Sequence, residues 1–382
     1  MTDLLRCALP ENSDPVLAEK ARRPWVVNQC LQGLAEARKD PAFATPNLAR
    51  WFRKNRSLGS KDRKVVAEMV HGIIRHEALL LRAGARGPED LIRMWADLIE
   101  GERFVDMQAA SAGEDFATAL NIPSIAADEW LRVLGPKAAV EFARSIGLRP
   151  PMHIRANRLK VDRDSLADTL AKEDVTTTPL ESTDNGLVVV GRANLLTTNA
   201  FKAGLFEVQD ASSQIFCEHL PFKDGTRILD LCAGSGGKSL ALAARGANMV
   251  ATDIREKALK ELEKRAERAG ANIQLEQPSE AQIVLIDAPC SGSGRLRRNP
   301  ALRWGLTDRT HLAIQAELLE TATQWVAPHG RLVYATCSLF ERENGHPTPS
   351  GWVVEDERTL WPHQNQSDGF YWRIMKRGVL NK

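Results

Sequence analysis

Three strand-like stretches in the second half of the chain end in cysteine, and the residues around them could do chemistry. Val284-Leu285-Ile286-Asp287-Ala288-Pro289-Cys290 runs from apolar residues into an acid, a proline and a thiol, then breaks into Ser291-Gly292-Ser293-Gly294. Two further runs end at Cys232 and Cys337. In a parallel sheet the carboxyl ends of strands lie on one side, so Cys290 and Cys337 can face one cleft. A thiolate there is a nucleophile. Carbon 5 of cytosine becomes reactive only after a thiolate adds to carbon 6, so the pair suits methylation of a pyrimidine carbon. Asp287 can hydrogen-bond the base edge as charge develops.

Ahead of these lies Arg227-Ile228-Leu229-Asp230-Leu231-Cys232, followed by Ala233-Gly234-Ser235-Gly236-Gly237-Lys238. Glycines between a strand and a helix let the backbone approach a ligand closely. The spacing from Gly234 to Lys238 is too short for a Walker loop and does not match G-x-G-x-x-G. Asp253, at the end of the next strand, can accept two ribose hydroxyls. The cofactor set is therefore Cys232, Ala233, Gly234, Ser235, Gly236, Gly237, Lys238, Asp253, Arg255 and Asp287, with the Cys232 thiol itself read as core. The loop alone fits S-adenosylmethionine or NAD. The thiol pair favours the former, since hydride transfer needs no thiolate.

Bulk properties bound the rest. A chain of 382 residues exceeds one core, which implies two or three domains. Hydrophobic residues at 43% and charged residues at 26% are ordinary for a globular protein, and no apolar run is long enough to span a membrane. The net charge of +2 gives no overall bias toward nucleic acid. The six cysteines are scattered and no CxxC pair occurs, so neither a disulfide framework nor a metal site is expected. A cytoplasmic monomer with reduced thiols fits.

The elements that must position these groups fall into three parts. Residues 1–24 show no pattern. From Trp25 to about Gly147 apolar residues recur at helical spacing, with Ser60 as a cap before a helix towards Arg75. Arg50, Arg53, Lys54, Arg56, Lys61, Arg63 and Lys64 cluster there and could meet phosphates. Pro150-Pro151 begins a small α/β unit, with strands at 152–157 and 187–190 around a helix at 163–172. From Phe206, strands and helices alternate, which predicts a parallel, doubly wound sheet and one long helix over 306–328. The resulting parts are 1–148, 149–205 and 206–382.

Residues 228–238, 287–300 (Asp-Ala-Pro-Cys-Ser-Gly-Ser-Gly-Arg-Leu-Arg-Arg-Asn-Pro), 333–338 (Val-Tyr-Ala-Thr-Cys-Ser), Glu343-Asn344 and Phe206 to Gln214 together resemble the Nop/Sun family of RNA 5-methylcytosine methyltransferases. The front end, with Leu58 to Arg63 and His71-Gly72-Ile73-Ile74-Arg75, resembles a NusB-type RNA-binding domain, and that fusion is typical of RsmB-type enzymes. The resemblance implies a Rossmann-like methyltransferase domain, S-adenosylmethionine as cofactor and small-subunit ribosomal RNA as substrate. It makes Cys337 the nucleophile, gives Cys290 a role in release, and has Lys238 and Asp287 position the base. Arg155, Asn157, Arg158, Arg297 and Arg298 are the candidate RNA contacts. Two departures stand out: Glu276-Gln277-Pro278-Ser279-Glu280 lacks the family's acid, leaving Gln277 or Ser279 as substitutes, and Gly345-His346-Pro347-Thr348-Pro349 cannot be helical. Rival readings are the same chemistry on transfer RNA, a non-catalytic RNA-binding assembly factor and, more distantly, an NAD dehydrogenase.

Overall fold

Apolar residues at three- and four-residue steps bury one stripe per helix, and in the front of the chain these stripes meet around one core. The computed structural model describes residues 5, 14–40, 44–101, 111–191, 193–306 and 311–378. Contacts divide the chain into two units: residues 1–149 with 295–309, and 150–294 with 310–382. The first holds α1 (Pro15–Ala21), α2 (Pro24–Arg38), α3 (Ala44–Lys54), α4 (Ser60–Arg82), α5 (Pro88–Glu100), α6 (Ala112–Leu120) and α7 (Ser124–Gly147). Cys30, Leu34, Val66, Met69, Ile73, Trp95 and Leu98 lie in its core. His76 stacks on Trp95 with ring centroids 4.8 Å apart. A Cβ on Gly72 would come 2.3 Å from the Trp95 indole nitrogen, so only glycine admits that packing.

Two expectations need correction here. Part of the patternless 1–24 segment is helical: the Asp14 carboxylate caps α1 by accepting the Leu17 N–H at 2.9 Å, and Ala18 and Ala21 are fully buried. Residues 1–13, apart from Leu5, lie outside the described residues. Ser60 is the first residue of α4 and not its cap; Gly59 holds the cap position without a side-chain bond.

The stretch 295–306 belongs with the helical unit although its sequence adjoins the Cys290 loop. Arg303 is 2% exposed, and among the described residues it meets no carboxylate. It donates instead to the carbonyls of Leu120, at the end of α6, and Leu296, both at 2.7 Å, and reaches those of Pro300 and Ile146. Trp304 Nε1 donates to Glu77 at 2.8 Å, and Ala301 joins the helical core.

In the second unit, β1 (Met152–Ala156), α8 (Arg163–Ala171), β2 (Thr177–Pro179), β3 (Gly186–Val189), α9 (Asn199–Lys202) and β4 (Phe206–Val208) form an antiparallel sheet in the order β2-β3-β1-β4. Then follow α10 (Ala211–His219), β5 (Arg227–Asp230), α11 (Gly237–Ala243), β6 (Asn248–Ala251), α12 (Glu256–Ala269), β7 (Ile273–Leu275), β8 (Ala281–Asp287), α13 (Leu312–Ala322), β9 (Val326–Thr336), α14 (Glu341–Asn344), β10 (Trp352–Leu360), α15 (Pro362–Asn365) and β11 (Phe370–Arg377). The large sheet runs β10-β11-β9-β8-β5-β6-β7, parallel from β9 to β7 and antiparallel at β11 and β10. Both faces are covered, which explains the continuous apolar strands. Ile228, Ile283, Leu285 and Val333 face one core; Leu229, Val284, Ile286 and Leu332 face the other. This is the Rossmann-like arrangement expected.

The helix expected over 306–328 is shorter. Residues 307–310 lie outside the described residues, and α13 ends at Ala322 before the chain turns into β9. Pairing jumps from Ala281↔Val326 to Ile283↔Arg331, so Pro328-His329-Gly330 forms an irregularity inside a strand rather than a helix stop. Between β7 and β8 the connection is only 276–280, without a helix. Ser279 Oγ accepts from Arg227 Nη2 at 2.9 Å. Arg227 starts β5, so this hydroxyl lies at the amino end of the sheet, away from the carboxyl-end loops that hold the expected cofactor residues.

Candidate active site

The ends of β8 and β9 set the site. Asp287 pairs in register with Ala335, and Ala288 N–H donates to the Ala335 carbonyl at 2.8 Å, so the two cysteine-bearing loops leave adjacent strands together. Cys290 Sγ and Cys337 Sγ stand 3.4 Å apart, and both residues are half-buried. Their hydrogen bond, together with burial, raises the Cys290 thiol well above its ordinary value, so Cys290 keeps its proton at neutral pH.

Lys238 reaches this region from the first turn of α11. Its Nζ donates to Asp287 Oδ2 at 2.6 Å and lies 4.8 Å from the Phe370 ring centroid. Burial, the largest single effect, would lower the lysine, but the Asp287 charge and hydrogen bond, together with Cys217 and Cys337, outweigh it and the pKa stands above the usual value. The ammonium is therefore a fixed positive charge, and Cys337 is among the groups whose negative charge it would stabilise.

The glycine loop between β5 and α11 is shaped by left-handed backbone at Gly234 (φ 55°) and Gly236 (φ 81°). A Cβ on Gly236 would fall 2.0 Å from Leu262 Cδ1, so loop and α12 can meet only through glycine. Asp253 accepts the Gly234 N–H at 2.8 Å, and the Arg255 Nε and Nη2 at 2.9 and 3.0 Å. These bonds outweigh burial and hold its pKa below the usual carboxylate value. Ser235 is fixed by Arg265, which binds both its carbonyl and its hydroxyl. Cys232 is half-buried against the second core, and burial pushes its thiol up to about 12, in keeping with a structural thiol. Beneath the loop, Asp230 is enclosed, bonded to Ser239 Oγ at 2.7 Å, and pushed by burial up to about 7.

Three of the expected RNA contacts are corrected. Arg155 is 5% exposed and donates from Nε to Gln209 Oε1 at 2.6 Å; Gln209 Nε2 in turn donates to the Gly237 carbonyl at 3.1 Å. Asn157 is 3% exposed and bridges the carbonyls of Gly204 and Ala269, both at 2.8 Å. Arg297 is 5% exposed, lies in the helical unit and donates to the Arg149 carbonyl at 3.0 Å. All three are scaffold, since their polar atoms are turned inward to fixed acceptors. Arg158 is exposed and Arg298 half-buried. Of the basic cluster, Arg50, Arg53, Lys54, Arg56, Lys61 and Lys64 are exposed.

Sequence reasoning gave no role to several groups, some of which lie in the motifs quoted above. Ile254, next to Asp253, is 99% exposed, an apolar side chain presented beside the acid that follows β6. Phe370 comes from the last strand, signalled only by the aromatic run Phe370-Tyr371-Trp372. Ser291, Ser293, Ser338, Gln315 and Glu343 form a buried polar network under the two cysteines. Among the described residues, no cluster of His, Cys, Asp and Glu could hold a metal ion, and no helix is long and apolar enough to cross a membrane.

Residues 218–349 match the family model for 16S rRNA methyltransferase RsmB/F. Ribosomal RNA small subunit methyltransferase B of Vibrio vulnificus is 28% identical over 296 residues, 69% of each chain. The protein of that name from Yersinia pseudotuberculosis serotype O:1b is 31% identical over 263 residues, so the match spans 60% of that relative's length and 60% of this chain. A methyltransferase homologue from Pyrococcus horikoshii shares the fold, with a TM-score of 0.58 at 24% identity, over 70% of this chain and all of its own. Residues 218–349, which hold the glycine loop and both cysteine-bearing loops, are thus similar to 16S rRNA methyltransferases of the RsmB/F type.

Proposed function

We propose that the protein methylates carbon 5 of a cytosine in RNA, with small-subunit ribosomal RNA as substrate and S-adenosylmethionine as methyl donor. The carrying observation is the Cys290–Cys337 pair, 3.4 Å apart beside the Lys238–Asp287 ion pair.

The residues present fit the cofactor. The loop 233–237 supplies close backbone approach, Asp253 has two oxygens for ribose hydroxyls in place of its Arg255 bonds, and Ile254 offers an apolar surface for a purine ring. Bound there, S-adenosylmethionine would supply an electrophilic methyl group. On the protein side, Cys337 adds to carbon 6 of a base drawn from its stack, forming a carbon–sulfur bond and making carbon 5 nucleophilic. Lys238 stabilises the thiolate by its charge, and Asp287, oriented by Lys238, faces the base edge. After methylation, carbon 5 gives its proton to solvent water, the pair left behind reforms the 5,6 double bond, and the carbon–sulfur bond breaks with its electrons returning to Cys337. Cys290, protonated and in hydrogen-bond contact with that sulfur, assists release. The exposed basic residues around α3 and the start of α4 would meet phosphates, in keeping with a NusB-like role for the helical unit.

The test is methyl transfer from labelled S-adenosylmethionine to unmodified small-subunit ribosomal RNA, with transfer RNA alongside. Transfer to ribosomal cytosine carbon 5 is expected. Cys337→Ala should abolish it, and Cys290→Ala should accumulate a protein–RNA adduct. Tight cofactor binding without methyl transfer to either RNA would overturn the proposal.

A further inference from the structure

A single carboxylate lies beneath both cysteine loops. Glu343, on α14, is 1% exposed. One of its oxygens accepts the Ser291 N–H at 2.8 Å and the Gln315 Nε2 at 3.4 Å; the other accepts the Ser291 hydroxyl at 2.5 Å and the Ser338 hydroxyl. Ser291 directly follows Cys290, and Ser338 directly follows Cys337. Gln315 Nε2 also donates to the Pro289 carbonyl at 2.8 Å, so the chain is held on both sides of Cys290. Glu343 is itself fixed, because the Tyr334 hydroxyl donates to its main-chain carbonyl at 2.7 Å. Four donors match the acceptor capacity of an ionised carboxylate, whose burial is otherwise costly.

From this geometry we infer that Glu343 is a positioning residue for the two-cysteine pair, setting the separation and orientation of Cys290 Sγ and Cys337 Sγ. A neutral packing residue would close this space without joining the two loops; the carboxylate joins them because each of its oxygens accepts from Ser291 and one of them also from Ser338. Its charge also contributes to keeping the Cys290 thiol protonated, behind the larger effects of the Cys337 hydrogen bond and burial. The inference rests on the reading that this pair performs the methyl transfer, and it adds a residue that touches neither base nor cofactor.

Glu343→Gln replaces one accepting oxygen with a donor, so the four bonds cannot all be kept in their present directions and the link between the loops is weakened. It is expected to lower kcat for RNA methylation by about tenfold or more, since misplacing reacting groups by ~1 Å can cost ~100-fold. KM for S-adenosylmethionine should stay within about twofold, and Glu343→Asp should recover part of kcat. A second measurement does not depend on activity. Phenylarsine oxide bridges two neighbouring thiols, losing its oxygen as water as two arsenic–sulfur bonds form. Wild-type protein should hold it across Cys290 and Cys337 about tenfold more tightly than Glu343→Gln. Unchanged kcat, a rise in KM alone, or equal arsenical affinity in a folded Glu343→Gln protein would each overturn the inference. If wild-type protein methylates no RNA, the functional reading fails and the arsenical measurement alone decides the positioning role. Should Glu343→Gln not fold, the Ser291→Ala, Ser338→Ala double variant cuts both hydroxyl ties to Glu343 and is judged by the same outcomes.

Discussion

The helical unit and the methyltransferase unit bury their polar groups in different ways. In the helical unit the buried groups are mainly basic. Burial lowers His71 to about 4, His76 to about 3, Arg75 to about 10 and Arg303 to about 9. Arg303 is satisfied by backbone carbonyls. In the methyltransferase unit Glu343, Asp230 and the Lys238–Asp287 pair meet side-chain donors or opposite charge. Carbonyls at helix ends can fix a segment in place, but they do not orient a reacting atom. Side chains from separate elements do, and Lys238, Asp287 and Glu343 are gathered around the two cysteine loops.

The largest test of this contrast is acid. Both histidines have folded pKa values below their unfolded ones, so their stabilising contribution is full above ~6.5 and declines as pH falls towards the folded values. From pH 7 to 5 the helical unit should lose ~4 kcal/mol, read by hydrogen exchange across α4 after correction for intrinsic rates. Unchanged protection at pH 5 would show that the histidines are not buried neutral. Next comes Arg303→Met, which strips the donors from several enclosed carbonyls. It should cost the helical unit ~3 kcal/mol, measured in the same way, and a neutral result would remove Arg303 as the anchor of 295–306.

Asp230 gives the opposite sign. Its folded pKa of about 7 lies above the unfolded value, so its penalty is full above pH 7 and fades as pH falls towards 4. Asp230→Asn should therefore stabilise β5 more at pH 8 than at pH 5, by ~3 kcal/mol. Equal effects at the two pH values would contradict the burial argument. The smallest effect belongs to Ile254→Ala, which leaves folding untouched and should weaken S-adenosylmethionine binding by about fivefold, or ~1 kcal/mol, in a calorimetric titration.

The strands ending at Cys290 and Cys337 were legible because buried parallel strands write continuous apolar runs, and the loop at 233–237 because only glycine allows its conformation. The Glu343 network was not, since its members come from three separate segments and the motifs that contain most of them do not tell which polar groups meet. Arg155, Asn157 and Arg297 misled for a related reason: a charged or amide side chain reads as exposed until the distant acceptor that receives it is known. The short α13 and the unusual start of β9 escaped notice because Pro328-His329-Gly330 can stop a helix or kink a strand equally well.

The placement of 295–306 bears on how this protein could be divided. By sequence alone a cut near Pro150 separates helices from catalyst. Yet deleting 1–149 would strip Arg303, Trp304 and Ala301 of their packing and leave an apolar, cationic flap a few residues beyond Cys290. The catalytic half is therefore not a detachable module, and the two portions would have to be inherited, or transplanted, together.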